Sequence, residues 1–292
     1  MSLIAFQEKF PTEESCLKYL EEQRWSSGRY CPHCGSYENS YRYNDGRLFK
    51  CRDCNKQFTV KVGTIFSDSH VPLQKWFMAI YLNTSLKKGL SSIQLSKYIG
   101  VTQKSAWFML QRIRYSSQST QQKLKGTIEV DETYMGGVRH GGRTGPADKS
   151  IVFGAVERKG KVSLTHVPTS GARVLQPIIT KTIEASAKVY SDQHGSYKGL
   201  GYLGYKHEAV NHSHGEYARS PVHTNTIDGG VWKHFKKSID AIYMQVSVKH
   251  LQLYCNEFEY RYNTRWLSDG ERFEKWFGLV NNKRLKFKNL VG

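Results

Sequence analysis

The sequence predicts an α+β chain of several domains, and three observations carry that expectation. Two Cys-x-x-Cys pairs lie sixteen residues apart near the N-terminus, a stretch of purely helical periodicity follows, and in the second half short alternating runs return between glycine turns. A length of 292 residues suits two or three domains. The net charge is +18, with +10 in residues 1–125 and +8 in residues 126–292, so both halves gain by releasing counterions on a polyanion. Solubility alone does not need that much charge. No run of eighteen apolar residues and no apolar N-terminal core is present, so no membrane span or leader is expected.

In chain order, residues 5–25 read as one helix, with Thr12 as a cap and Glu13 and Glu14 near its positive end. Cys31, Cys34, Cys51 and Cys54 have the spacing of one tetrahedral Zn²⁺ held by four thiolates. Between and after them Tyr30, residues 41–43, 47–50 and 57–62 read as short strands, with a hairpin around Asn44-Asp45-Gly46. Some thirty residues have too small a core to fold alone, and a structural zinc supplies the difference. Cys16 and Cys255 read as small buried thiols. Together residues 1–65 form the expected first domain, an N-terminal helix plus a zinc ribbon.

Residues 66–120 form the expected second domain, all-helical over 72–116. Trp76, Phe77, Ile80 and Tyr81 fall at helical spacing, Ser91-Ser92 cap a helix running to Ile99, Gly100 turns, and Thr102 caps the next helix. That is a helix-turn-helix arrangement, with Gln103, Lys104 and Ser105 at the start of the candidate recognition helix and Arg112 further along it. The plainer alternative is an ordinary three-helix packing unit. Residues 116–125 read as a linker.

From residue 126 to 292 a mixed α/β domain is expected. Residues 127–133, 151–158 and 161–168 read as strands, 174–185 as a helix, 188–192 as a fourth strand and 206–211 as a fifth. Helix returns over 226–238 and 247–262, where Val248, Leu251, Cys255, Phe258 and Tyr262 make one buried face. This order is that of an RNase H-like mixed sheet. A glycine-rich basic loop spans residues 136–145 and holds Arg139 and Arg143.

Asp131 and Asp192 close two of these strands, where ligands of α/β sheets gather, and Asp228 opens a later helix. Three convergent carboxylates offer hard oxygen ligands to Mg²⁺ or Mn²⁺, whose charge offsets their mutual repulsion. Each aspartate alone reads as a cap or a surface charge; the case is the set. Asp131 and Glu132 point to opposite faces, so Glu132 is expected to act at one remove. His194, His207, His212, His214 and His223 match no zinc spacing and read as hydrogen-bonding residues.

These motifs, namely Cys-Pro-His-Cys-Gly (31–35), Cys-Arg-Asp-Cys (51–54), Val-Asp-Glu-Thr-Tyr-Met-Gly-Gly (130–137), Tyr-Ser-Asp (190–192), Asn-His-Ser (211–213), His-Thr-Asn-Thr-Ile-Asp (223–228) and Glu-Phe-Glu-Tyr-Arg-Tyr-Asn (257–263), resemble the DDE insertion-sequence transposases with an N-terminal zinc ribbon, the ISXO2-like group related to Merlin elements. The resemblance covers nearly the whole chain. It implies an RNase H-like catalytic domain that cleaves double-stranded DNA at inverted-repeat ends and joins them to target DNA, with structural Zn²⁺ and catalytic Mg²⁺ or Mn²⁺. By position Asp131 and Asp192 match the first two catalytic acids. Asp228 stands where the family usually has Glu, with Asn225 as the alternative third residue and an extra glycine in Gly229-Gly230. Lys236 or Lys237 matches a basic residue expected on DNA. Paired ends imply a homodimer or larger assembly, in the cytoplasm on the nucleoid, or in the nucleus of a eukaryote. The alternative function is a catalytically inactive, domesticated DNA-binding protein. A zinc-ribbon transcription factor is a further rival, and a small-molecule zinc hydrolase fits the charge poorly.

Overall fold

The computed structural model describes residues 1–44, 46–118, 122–136, 149–210, 218–219 and 222–291. Two compact units divide the chain: Met1–Gln118 with Trp266–Gly292, and Ser119–Arg265.

The first unit begins with two helices, α1 (Leu3–Lys9) and α2 (Glu13–Arg24), where one was expected. Pro11 has no N–H to continue α1, so Thr12 starts afresh with a capping box, its hydroxyl accepting from Ser15 N at 3.2 Å. Strands β1 (Ser40–Tyr43), β2 (Leu48–Cys51) and β3 (Gln57–Phe58) form an antiparallel sheet in that order. The β1–β2 turn has Asn44 and Gly46 at φ 47° and 74°; Asp45, its expected centre, lies outside the described residues. Tyr30 makes only an isolated bridge with Tyr37. Phe49, Phe58 and two of the cysteines make the small core, with Trp25 edge-on to Phe49 at 5.0 Å.

Helices α3 (Leu73–Ser85), α4 (Ser92–Ile99) and α5 (Gln103–Ser116) follow. The hydroxyls of Ser91 and Thr102 cap α4 and α5, accepting from Gln94 N at 3.2 Å and Ser105 N at 3.1 Å. Gly100 ends α4 at φ 59°, the left-handed conformation that glycine adopts without penalty.

The second unit is built on a five-stranded mixed sheet of β4 (Thr127–Met135), β5 (Ser150–Glu157), β6 (Val162–Val167), β7 (Lys188–Asp192) and β8 (Lys206–Val210), in the order β6-β5-β4-β7-β8. β5 runs antiparallel to both neighbours, whereas β7 runs parallel to β4 and β8. Helix α6 (Ala172–Thr182) supplies the β6-to-β7 crossover and buries Leu175 and Ile179 against Ile128, Val130 and Phe153. After a short ladder of β9 (Ala218–Arg219) and β10 (Val222–His223), a π-helical segment, Thr226–Trp232, runs into α7 (Lys233–Ser238). A wide turn of this kind absorbs an extra residue, and it includes Gly229 and Gly230.

Helix α8 (Leu251–Asn263) packs on the opposite face to α6, with Leu251, Cys255 and Phe258 buried beside Val152 and Val156. Val248, expected on that face, is exposed, because it sits in a 3₁₀ turn before α8 starts. Along the outer edge of β6, the Gln252 amide bonds His166 N (2.8 Å) and Leu164 O (3.1 Å), and the Asn263 amide bonds Val162 N (2.7 Å) and O (2.8 Å). Side chains thus take the place of a further strand.

The last expected domain ran from 126 to 292, but its final residues belong to the first unit. There α9 (Asp269–Phe277) buries Phe273, Trp276 and Phe277, with Phe277 4.8 Å from Phe77 and Phe273 5.5 Å from Phe6, and α10 (Lys288–Val291) follows.

Candidate active site and metal centre

Two centres emerge. In the first unit Cys31, Cys34, Cys51 and Cys54 place their sulfurs all within 4.8 Å of one another, with Cys31–Cys54 and Cys34–Cys51 at 3.7 Å. A tetrahedron with Zn–S bonds of about 2.3 Å has edges of about 3.8 Å, so the donor set fits zinc and lies far outside disulfide distance. Without a cation the four thiols share their protons unequally: backbone hydrogen bonds from Cys54 and Asp53 hold the Cys51 thiol down at about 7, while burial and the bonds to the other three thiols push Cys34 up to about 12.

The second centre stands at the carboxyl ends of β4 and β7. These parallel strands pair Thr127↔Lys188, Ile128↔Val189 and Glu129↔Tyr190, and the ladder then stops. Carried on by two residues, the same register sets Asp131 level with Asp192, on the face shared by Glu129 and Tyr190. Asp228 comes back onto this face from the π-helical turn. Its carboxylate accepts the Thr224 hydroxyl at 2.7 Å and shares a side-chain hydrogen bond with Asp131. Burial, then the charge of Asp228, pushes the Asp131 carboxyl up to about 8, while the Trp232 indole N–H, 2.6 Å from Asp131 Oδ2, works the other way. Asp192 accepts from His194 N at 3.0 Å. Its charge acts on Glu132 and, together with that of Asp131, on Tyr197.

Asp131 and Asp228 thus meet, while Asp192 stands at the end of the adjoining strand; this is a looser set than the cysteines, which alone among the described residues bring three or more ligand atoms all within 4.8 Å. The aspartates' all-oxygen donors and mutual repulsion fit a hard divalent cation. Asn225 is exposed at the start of the turn and makes no side-chain cap, whereas Asp228, also exposed, shares a hydrogen bond with Asp131.

Glu132 leaves the strand on the other face, where Tyr197 Oη donates to it and His194 Nδ1 lies at 3.1 Å. His207 pairs with Ser191 at 2.9 Å and His223 Nδ1 lies 3.3 Å from Glu129; His212 and His214, with the rest of Asn-His-Ser 211–213, lie outside the described residues.

The sequence reading passed over three residues of this site. Glu129 is fully buried and collects Arg158 Nε (2.7 Å), Thr226 N (2.7 Å), Thr226 Oγ1 (2.8 Å) and Ile227 N (3.1 Å). Trp232 lies over Gly154, the cross-strand partner of Asp131, in a notch that any side chain at 154 would fill. Glu129 and Gly154 carry a signal in the sequence, a charge alternating with Ile128 and Val130 and a glycine inside the apolar run of β5; Trp232 carries none.

Among the candidate DNA contacts, Gln103 and Lys104 are exposed at the start of α5, with Gln103 Nε2 2.8 Å from Ser92 Oγ. Ser105 is half-buried and engaged with Thr102. Lys236 and Lys237 are exposed on α7. Arg112 corrects the expectation: it is buried and donates to the carbonyls of Leu285 (3.1 Å), Ile65 (2.6 Å) and Ser67 (2.9 Å), so it ties backbone segments together and faces no ligand. Arg139 and Arg143, and the Gly137 end of the β4 motif, lie outside the described residues.

Residues 123–263 match the model of an ISXO2-like transposase domain, and residues 11–57 that of a transposase zinc-ribbon domain. A protein of transposable element ISH50 from Halobacterium salinarum is 30% identical over 245 residues, a span covering 75% of this chain and 81% of that protein.

Proposed function

From the premise that this chain belongs to the ISXO2-like transposases, we propose that it is a DDE-type transposase that cuts inverted-repeat ends and joins them to target DNA. The observation that carries this reading is the return of Asp228 onto Asp131 at the strand end where the β4–β7 ladder opens toward Asp192. The sheet order, three antiparallel strands continued by two parallel ones, supports an RNase H-like domain. Asp131, Asp192 and Asp228 would hold Mg²⁺ or Mn²⁺, and the four cysteines Zn²⁺. When bound, the divalent ion activates the attacking oxygen and stabilises the leaving one.

The chain's own part is placement. Trp232 fixes the Asp131 carboxyl, Thr224 that of Asp228 and the His194 amide that of Asp192. Water attacks the phosphodiester at the element's end and releases a 3′-OH; that hydroxyl then attacks a target phosphodiester, and each step breaks one P–O bond as it makes another. No serine or tyrosine nucleophile is needed. Duplex recognition falls to α4 and α5, in helix-turn-helix fashion, through Gln103 and Lys104, with Lys236 and Lys237 on backbone phosphate. Two ends held together call for at least two copies of the chain.

The test is Mg²⁺-dependent nicking of a plasmid bearing the element's own termini. Asp131→Asn and Asp192→Asn should abolish cutting and leave specific binding unchanged, since carboxylates are not phosphate contacts. Wild-type cutting by either variant refutes the assignment. Specific binding by the unmodified chain, without cutting under Mg²⁺ or Mn²⁺, marks a DNA-binding protein instead. In a Mn²⁺ assay Asp228→Ala should be inactive and Asn225→Ala active.

A further inference from the structure

We propose that Glu129 is the positioning residue of the carboxylate site, holding the turn that carries Asp228 against Asp131. This rests on the metal-site reading of the three aspartates and goes beyond it by naming what sets their geometry.

Glu129 and Asp131 are two residues apart on β4 and therefore share a face. Each holds one end of the same π-helical segment. The Glu129 carboxylate takes the N–H of Thr226 and of Ile227 and the Thr226 hydroxyl, while the Asp131 carboxylate takes the Trp232 indole at the far end. Asp228 lies between these two anchors. A π-helical turn is wider and less regular than an α-helical one, so its path needs external fixing.

Only a carboxylate suits this position. Oε1 accepts from Arg158 Nε and the Thr226 hydroxyl, and Oε2 from two backbone amides. Whichever way a glutamine amide is turned, its NH₂ meets donors. The Arg158 guanidinium, which also donates to His223 O at 3.0 Å, ties Glu129 to the segment leading into the turn. Glu129 is fully buried behind the site and faces no solvent, so it acts through Asp228 and is not itself a ligand.

The experiment is Mn²⁺ binding by the full chain without DNA, followed by electron paramagnetic resonance, alongside thermal melting. Glu129→Gln should weaken Mn²⁺ binding about 10–100-fold, the usual loss when a residue supporting a metal ligand is changed. Combined with Asp228→Asn it should add little to the loss from Asp228→Asn alone, because both act on one ligand. Thr226→Val, which removes a single hydroxyl, should show a smaller loss of the same kind and serves if Glu129→Gln does not fold. Melting that falls while Mn²⁺ affinity stays at the wild-type level, in Glu129→Gln or in its Thr226→Val substitute, overturns the positioning role. So do losses that multiply in the double variant. If Asp131→Asn and Asp192→Asn themselves leave Mn²⁺ binding unchanged, the metal-site reading fails and takes the role of Glu129 with it.

Discussion

Gly154→Ala is the smallest perturbation that should reach the carboxylate site without touching a carboxylate. A Cβ at 154 would lie 2.6 and 2.7 Å from two carbons of the Trp232 six-membered ring and 3.1 Å from Ile227 Cδ1. Contacts under 3.0 Å force movement, and the neighbour here is a buried indole, not the free end of a flexible chain. Overpacking of this kind costs about 1–3 kcal/mol. An indole pushed off β5 also stretches its hydrogen bond to Asp131, for a further loss of about 1 kcal/mol. The sum, about 2–4 kcal/mol, corresponds to a fall of roughly 4–16 °C in the melting of a unit this size. Calorimetry on the full chain reads the melting, and plasmid nicking under Mg²⁺ reads the site. Adding Trp232→Phe, which removes the clashing ring, should recover part of the melting loss but not the hydrogen bond to Asp131. A Gly154→Ala protein that melts within about 1 °C of wild type and nicks normally refutes the notch.

Two further outcomes are expected. Cys34→Ser, or chelation of the unmodified chain, should release one zinc per chain and unfold the ribbon, with loss of specific DNA binding; metal analysis and gel shift read this, and folding of the Ser119–Arg265 unit should be unaffected. In metal-free protein burial and the charge of Asp228 hold the proton on Asp131 to about pH 8, whereas the unfolded chain releases it near 3.8. The native state therefore binds more protons between these limits, and stability from this group is full below about pH 4 and lost as pH rises toward 8. Melting temperatures across pH 5–8 should show a downward slope that Asp131→Asn removes and saturating Mg²⁺ offsets.

What was legible in the sequence was local. The cysteine spacing, the caps at Thr12, Ser91 and Thr102, the Gly100 stop and the strand ends at Asp131 and Asp192 each depend on residues within a few positions. What escaped depends on partners far along the chain. Glu129 takes its meaning from Thr226 and Ile227, and Arg112 from the carbonyls of Ile65, Ser67 and Leu285. A cation on a candidate recognition helix reads as a phosphate contact until those acceptors are known. Gly229 and Gly230, which in sequence bore on the spacing of the third acid, lie within the π-helical turn, a conformation that no local pattern announced. The destination of the last helices was hidden for the same reason: Phe273 and Phe277 belong with Phe6 and Phe77, nearly two hundred residues or more before them.

That return of the C-terminus sets an order of manufacture. As the ribosome emits the polypeptide, every strand of the Ser119–Arg265 sheet is available before α9 has been translated, whereas the unit that starts the chain waits for its last aromatic wall. The half expected to grip inverted repeats is begun first and finished last. A nonsense codon just after Arg265 would leave every strand of that sheet translated and the first unit without its final helices, so a messenger cut short yields the sheet unit without a finished companion.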